Sequence, residues 1–113
     1  MNDPTSVPEI TPTALKERLD GGDVPLLVDV REDFEREIAD LPEHGQLRIP
    51  TARFLQSIEQ IDFDREVVLY CRSGSRSEWA ARLLMERGHP NVKNLKGGIL
   101  GWRAEVDPDL RAY

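Results

Sequence analysis

One short stretch of the 113-residue chain concentrates reactive chemistry: Cys71-Arg72-Ser73-Gly74-Ser75-Arg76-Ser77. Its thiol is the only cysteine in the sequence, two arginines follow it, and no acid stands among these seven residues. The apolar run Val67-Val68-Leu69-Tyr70 precedes it. A helical pattern follows over 76–87, with Ala80, Leu83 and Leu84 on one side and Glu78, Arg82 and Glu86 opposite. A loop between strand and helix meets the helix N-terminus, whose unpaired amides and partial positive charge favour an anion. Gly74 and the small serines let the backbone curl until several N–H groups point inward as an anion-binding nest. With Arg72 and Arg76 adding two full charges, a cysteine there is expected to react as the thiolate. The same field would stabilise a persulfide or a bound oxyanion. A plainer alternative makes Cys71 a small buried hydrophobe and Ser-Gly-Ser mere linker composition. The position between strand and capped helix, in a protein of net charge −6, favours the reactive thiol.

The elements that must hold this loop are legible in outline. Residues 1–8 are polar with two prolines and read as a flexible arm ahead of one domain over 9–113. Thr11-Pro12 predicts an N-cap and first helical residue, Leu15 and Leu19 an apolar stripe, and Gly21-Gly22 a stop. Leu26-Leu27-Val28-Asp29-Val30 has the continuous apolar character of a strand covered on both faces. A short acidic helix should follow, with Phe34 and Ile38 on its buried side. Weak signals suggest a strand over 47–49 and a helix over 54–61. Ser75-Arg76-Ser77-Glu78 fits a capping box and Gly88 a helix stop. A last strand over 92–95 and helix over 99–106 complete an α/β alternation, which implies a parallel β-sheet with helices on both faces.

Composition narrows the classes. Hydrophobic residues make up 39% and charged residues 32%, ordinary for a globular domain. The acidic balance argues against nucleic acid and anionic membrane as partners, since both require a basic face. No apolar run approaches a membrane span. One cysteine allows no internal disulfide, so a reducing, cytoplasmic setting is expected. His44, His89 and one thiol make a structural zinc site improbable.

Three motifs in order carry a family resemblance. The segment Cys71 to Arg76 resembles the six-residue active-site loop of rhodanese sulfurtransferases. Leu27-Val28-Asp29-Val30-Arg31-Glu32 is similar to the family's first-strand motif, and Asn94-Leu95-Lys96-Gly97-Gly98-Ile99-Leu100-Gly101-Trp102 to its Gly-Gly…Trp segment. Together they cover residues 9–106. The resemblance implies a rhodanese-like α/β fold and a Cys71 nucleophile that takes sulfane sulfur from a donor and passes it on, with no metal or organic cofactor. It implies that Arg72, Ser73, Gly74, Ser75 and Arg76 bind the substrate, and that Asp29 and Arg31 support the loop structurally. Implied partners are a small donor, thiosulfate or a protein persulfide, and an acceptor thiol, cyanide or a ubiquitin-like sulfur carrier. The tail Glu105 to Tyr113 is similar to the end of rhodanese domains fused behind adenylating enzymes of such carriers.

Two rival activities share this fold. Cysteine phosphatases and arsenate reductases have five residues between cysteine and arginine, whereas Cys71 and Arg76 enclose four. Non-catalytic binding modules often lose the cysteine or the loop charges, which are kept here. One region departs from the family pattern: Asp40 stands where histidine is usual, with two apparent extra residues before Ile49-Pro50. Trp102 is read as core, with bordering the pocket as its alternative; Trp79 is left between core and partner contact. His89 reads as a surface turn residue, and the acidic run from Glu32 to Glu37 as a solvated helix face.

Overall fold

In the computed structural model, which describes residues 6–113, the apolar runs form the strands of one parallel sheet. Its elements are β1 (Glu9–Ile10), α1 (Pro12–Asp20), β2 (Leu26–Asp29), α2 (Glu35–Ile38), β3 (Leu47–Arg48), α3 (Phe54–Ser57), β4 (Val67–Tyr70), α4 (Ser75–Glu86), β5 (Val92–Leu95) and α5 (Gly98–Glu105). Strand order is β1-β5-β4-β2-β3, all parallel. Side chains alternate across each strand. Leu26, Val28 and Val30 of the β2 segment share a face with Val67, Leu69 and Cys71, and there they pack under Ala80, Ala81 and Leu84 of α4. Leu27, Val68, Tyr70 and Leu95 point the other way, onto Leu15 and Leu19 of α1 and Ile99 and Trp102 of α5. Helices on both faces are therefore what these strands require.

The chain moves outward from β2 to β3, then returns to β2's other side with β4 and continues to β5. The order reverses between β2 and β4. In open α/β sheets the crevice at such a switch point, beyond the strands' carboxyl ends, is where ligands bind. The segments leaving those two strands, Val30-Arg31 and Cys71-Arg72, meet there, and Val30 N donates to Tyr70 O at 3.1 Å.

Several expectations need correction. Phe34 is 63% exposed, and the residue that α2 buries is Glu35. One turn of helix has too little apolar surface to fix its own facing, so ion pairing decides it. The acidic run is accordingly not a fully solvated face. His89 is buried, with Nδ1 accepting from Asn91 N and Nε2 near Asp62 O. No capping box forms on α4. Its N-cap is Gly74 (φ 111°), Ser75 already lies inside the helix, and no side chain caps it. The weak helix over 54–61 breaks into one α-turn, α3, flanked by 3-10 turns Thr51–Arg53 and Ile58–Gln60. The strand β1 has too few residues to show a period, yet it pairs with β5 through Glu9–Asn94 and Ile10–Leu95. Next to it, Val7 packs on the core and Pro8 O accepts from Asn94 N. Positions 1–5 of the expected arm lie outside the described residues.

Candidate active site

The strand β4 ends in the core, so the thiol that follows it starts buried: Cys71 is 1% exposed. A reactant therefore meets loop atoms before it meets sulfur. Gly74 takes a left-handed φ that other residues rarely adopt, and this turns its N–H onto Cys71 Sγ at 3.1 Å. The loop's carbonyls are drawn the opposite way. Ile99 N donates to Cys71 O and Leu100 N to Arg72 O, both at 3.0 Å. Amides at the start of α5 thus hold the loop from outside while a loop amide faces the sulfur. Gly98 explains how α5 comes so close: a Cβ there would lie 2.4 Å from Cys71 O. The Gly97-Gly98 pair serves this approach, and Trp102 is core, 1% exposed.

Two residues that sequence reasoning did not single out complete the thiol's surroundings. Ser77 Oγ lies 3.4 Å from Cys71 Sγ and 2.6 Å from Asn94 Oδ1, while Asn94 Nδ2 donates to Gly74 O at 3.0 Å. A hydroxyl has one proton, and the shorter approach to Asn94 takes it. Both residues sat inside quoted motifs, but only the sheet brings β5 beside the start of α4.

The loop's charged side chains are not equivalent. Arg76 grips Glu35 with both terminal nitrogens, at 2.8 and 2.9 Å. This guanidinium holds the Glu35 carboxyl down to about 2, against burial, which pushes it up; the Glu32 amide and the Tyr113 hydroxyl add to the lowering. Arg72 is exposed, its guanidinium 5.4 Å from the centre of the Tyr113 ring and its Nε donating to the Tyr113 main-chain oxygen. Ser73 and Ser75 are exposed, whereas Gly74 is buried. Ser75 and Arg76 also line an open pocket of about 440 Å³ with Thr51, Ala52 and Trp79. Trp79 is half-exposed and sets its ring edge-on to Phe54.

Beneath the loop, Asp29 and Arg31 serve each other. Asp29 accepts from Arg31 N, Nε and Nη2 at 2.9 to 3.0 Å, and from Arg48 Nη1 at 2.7 Å. Arg31 also donates to Ala39 O, Asp40 Oδ1 and the Tyr113 hydroxyl. Asp40 fits because cations surround it: Arg31 and Arg48 pair with it, and the Tyr70 hydroxyl donates to it at 2.8 Å. Burial, then Asp29 and Asp40, push the Tyr70 phenol well above its usual range. The Asp40 carboxylate is thus balanced by Arg31 and by Arg48, on β3, which the sequence reading passed over. Among the described residues, no cluster of acids, histidines and thiol forms a metal site.

With this geometry in view, comparison with known proteins is decisive. The family model described as Rhodanese-like domain matches residues 11–105. The chain belongs to that family. A "Sulfurtransferase" from Allochromatium vinosum is 40% identical to this rhodanese-like chain over 96 residues, 85% of this chain and 88% of the relative. The "Probable adenylyltransferase/sulfurtransferase MoeZ" of Mycobacterium tuberculosis is 33% identical over 106 residues, 92% of this chain but 26% of that protein. Among solved structures, Bacillus anthracis CoADR-RHD superposes with a TM-score of 0.79 at 29% identity, covering 95% of this chain and 18% of that one. The rhodanese-like fold is shown, and relatives of the chain's own size are named sulfurtransferases. Larger relatives are adenylyltransferase/sulfurtransferase fusions.

Proposed function

We propose that this rhodanese-like protein moves sulfane sulfur from a donor such as thiosulfate to a thiophilic acceptor through a persulfide on Cys71. The Cys71 thiolate attacks the outer sulfur of thiosulfate. The S–S bond breaks, and sulfite leaves with its electron pair. An acceptor nucleophile then attacks the terminal sulfur of the persulfide, and Cys71 leaves as thiolate, so the enzyme ends as it began. Splitting the transfer into two displacements is the advantage of a covalent carrier, and neither step calls for a metal or organic cofactor. The observation that carries the reading is the Gly74 N–H on Cys71 Sγ, in a loop whose carbonyls are held outward by α5. Amides left facing a sulfur anion stabilise it without reorganisation. The main-chain amides from Arg72 to Arg76 supply the substrate cradle, with Asp29 and Arg31 as its structural support.

Acceptors of this displacement are a thiol or cyanide. With a ubiquitin-like sulfur carrier, which the relatives fused to adenylyltransferases favour, the polarity is reversed. The terminal persulfide sulfur attacks the activated carboxyl carbon, and the activating group leaves with its electron pair. An external thiol then cleaves the acyl disulfide, pairing with Cys71 and releasing the thiocarboxylate. Protein persulfides are alternative donors. A lone carrier thiol works only while reduced, which suits the cytoplasm. The phosphatase reading is weakened by Arg76, because a guanidinium already gripped at both terminal nitrogens has little left for a phosphate dianion. Intact-mass spectrometry after incubation with thiosulfate tests the proposal. A gain of one sulfur atom on the peptide containing Cys71, reversed by cyanide and absent in Cys71→Ala, is the expected result. Turnover retained by folded Cys71→Ala protein would eliminate the persulfide route.

A further inference from the structure

The loop's two arginines are held in different ways. Arg76 is matched by Glu35 in a bidentate pair, which cancels most of its pull on an incoming anion. What holds Arg72 is Tyr113: the guanidinium lies over the ring, and Nε donates to that residue's main-chain oxygen. Tyr113 is itself anchored. Its hydroxyl accepts from Arg31 Nη1 at 2.8 Å and donates to Glu35 Oε1 at 3.0 Å. Arg31 and Glu35 are both buried. A line of fixed groups therefore runs from the buried Asp29–Arg31 pair, through one phenol, to an exposed cation beside Cys71.

We propose that Tyr113 is a positioning residue that presents Arg72 as the anion-recognition arm of the site. This rests on the reading of Cys71 as the sulfur-carrying nucleophile. A guanidinium is a planar fork. With Nε occupied and one face on a ring, its two terminal nitrogens are the edge left to meet a ligand, and that edge matches two oxygens of a sulfonate-like group. Freed from Tyr113, an exposed arginine would sample many rotamers, and each binding event would have to order it again. The substrate class that benefits is the anionic sulfur donor, thiosulfate or an organic thiosulfonate, over a neutral one.

Alkylation of Cys71 by iodoacetate and by iodoacetamide, compared as a ratio of rates, reads this directly. The two reagents differ in charge, so changes in accessibility or thiolate content cancel to first order. Tyr113→Ala is expected to lower the iodoacetate-to-iodoacetamide ratio about threefold, the scale of one exposed charge contact. Arg72→Gln should lower it equally, and the double variant no further. Tyr113→Phe, which keeps the ring and loses the tether, should fall in between, and it keeps the test open if the alanine variant does not fold. An unchanged ratio in Tyr113→Phe, or strictly additive effects of Tyr113→Ala and Arg72→Gln, would overturn the proposal. Thiosulfate turnover by the parent separates the two levels. A responsive ratio in a parent that takes no sulfur would refute the sulfurtransferase reading alone. An active parent with an unresponsive ratio would refute the positioning role alone, whose other expected mark is a raised KM for thiosulfate at constant kcat.

Discussion

Around Cys71 the individual contacts are few, and each has a distinct consequence. The Gly74 amide is a main-chain donor that substitution cannot remove, whereas Ser77 can be tested. Its hydroxyl sits between Cys71 Sγ and Asn94 Oδ1, and with a small rotation its proton can move from the amide oxygen to a sulfur anion. Replacing it by alanine leaves Asn94 Oδ1 buried without that donor. We expect Ser77→Ala to cost about 1–3 kcal/mol of stability and to slow the proposed persulfide formation severalfold. Urea unfolding and single-turnover kinetics with thiosulfate check the two effects. A variant equal to the parent in both would show that the hydroxyl is a bystander. This residue also marks where sequence reading stopped. Cys71 to Arg76 were visible because they are contiguous, while Asn94, Glu35 and Tyr113 acquire their places only when distant segments converge.

The strand and helix elements show the same division. β2, β4, α1 and α4 declare themselves through apolar runs or helical spacing long enough to outweigh local noise. α2 does not, and its facing was misread. Phe34 and Ile38 have the right spacing, but the bidentate bond from Arg76 turns Glu35 inward, an interaction no window around residue 35 contains. α5 repays closer attention, because its packing against the loop depends on one missing side chain. Gly98 has φ 58°, and a Cβ there would meet Cys71 O at 2.4 Å and Arg72 O at 2.7 Å, both main-chain atoms that cannot step aside alone. Gly98→Ala should therefore destabilise the fold by about 1–3 kcal/mol through overpacking, beyond its backbone strain, and cripple sulfur transfer. Gly45→Ala is the control. Gly45 also has a positive φ (76°) but nothing within 4 Å of a Cβ, so only strain of about 1 kcal/mol is expected. Denaturation of both variants measures the difference, and equal losses would mean that α5 does not press on the loop.

Across the whole molecule, two ion clusters clamp opposite ends of the sheet. Glu35 joins Arg76 at the carboxyl end of β4. Glu66, just before that strand, joins Arg18 of α1 and Lys93 of β5. Hydrogen bonding to Arg18 lowers the Glu66 carboxyl to about 2, against burial, with Lys93 assisting. Glu35 reaches about 2 as well, from an ordinary 4.5. Because the folded values lie below the unfolded ones, the unfolded chain binds more protons across that interval, and stability rises with pH there. The contribution is complete above the ordinary value and is lost as pH falls towards about 2. Urea midpoints followed downward through this window should decline, and a Glu35→Gln, Glu66→Gln double variant should show a flatter profile. An equally steep decline in the double variant would assign the acid sensitivity to other groups.

The order β1-β5-β4-β2-β3 has a further consequence, for how the chain is made. Every neighbouring pair is parallel, so each must wait for a crossover to close, and no local hairpin can seed the sheet. β1 is synthesised first but takes its place only on β5, through the pair Glu9–Asn94. The amides that hold the thiol's loop in shape belong to Ile99 and Leu100, which follow β5. On the ribosome, then, Cys71 emerges well before the residues that organise its surroundings. A half-made chain carries the Cys71 thiol without the amides that shape its loop, and those arrive only when the final helix of the domain has been delivered.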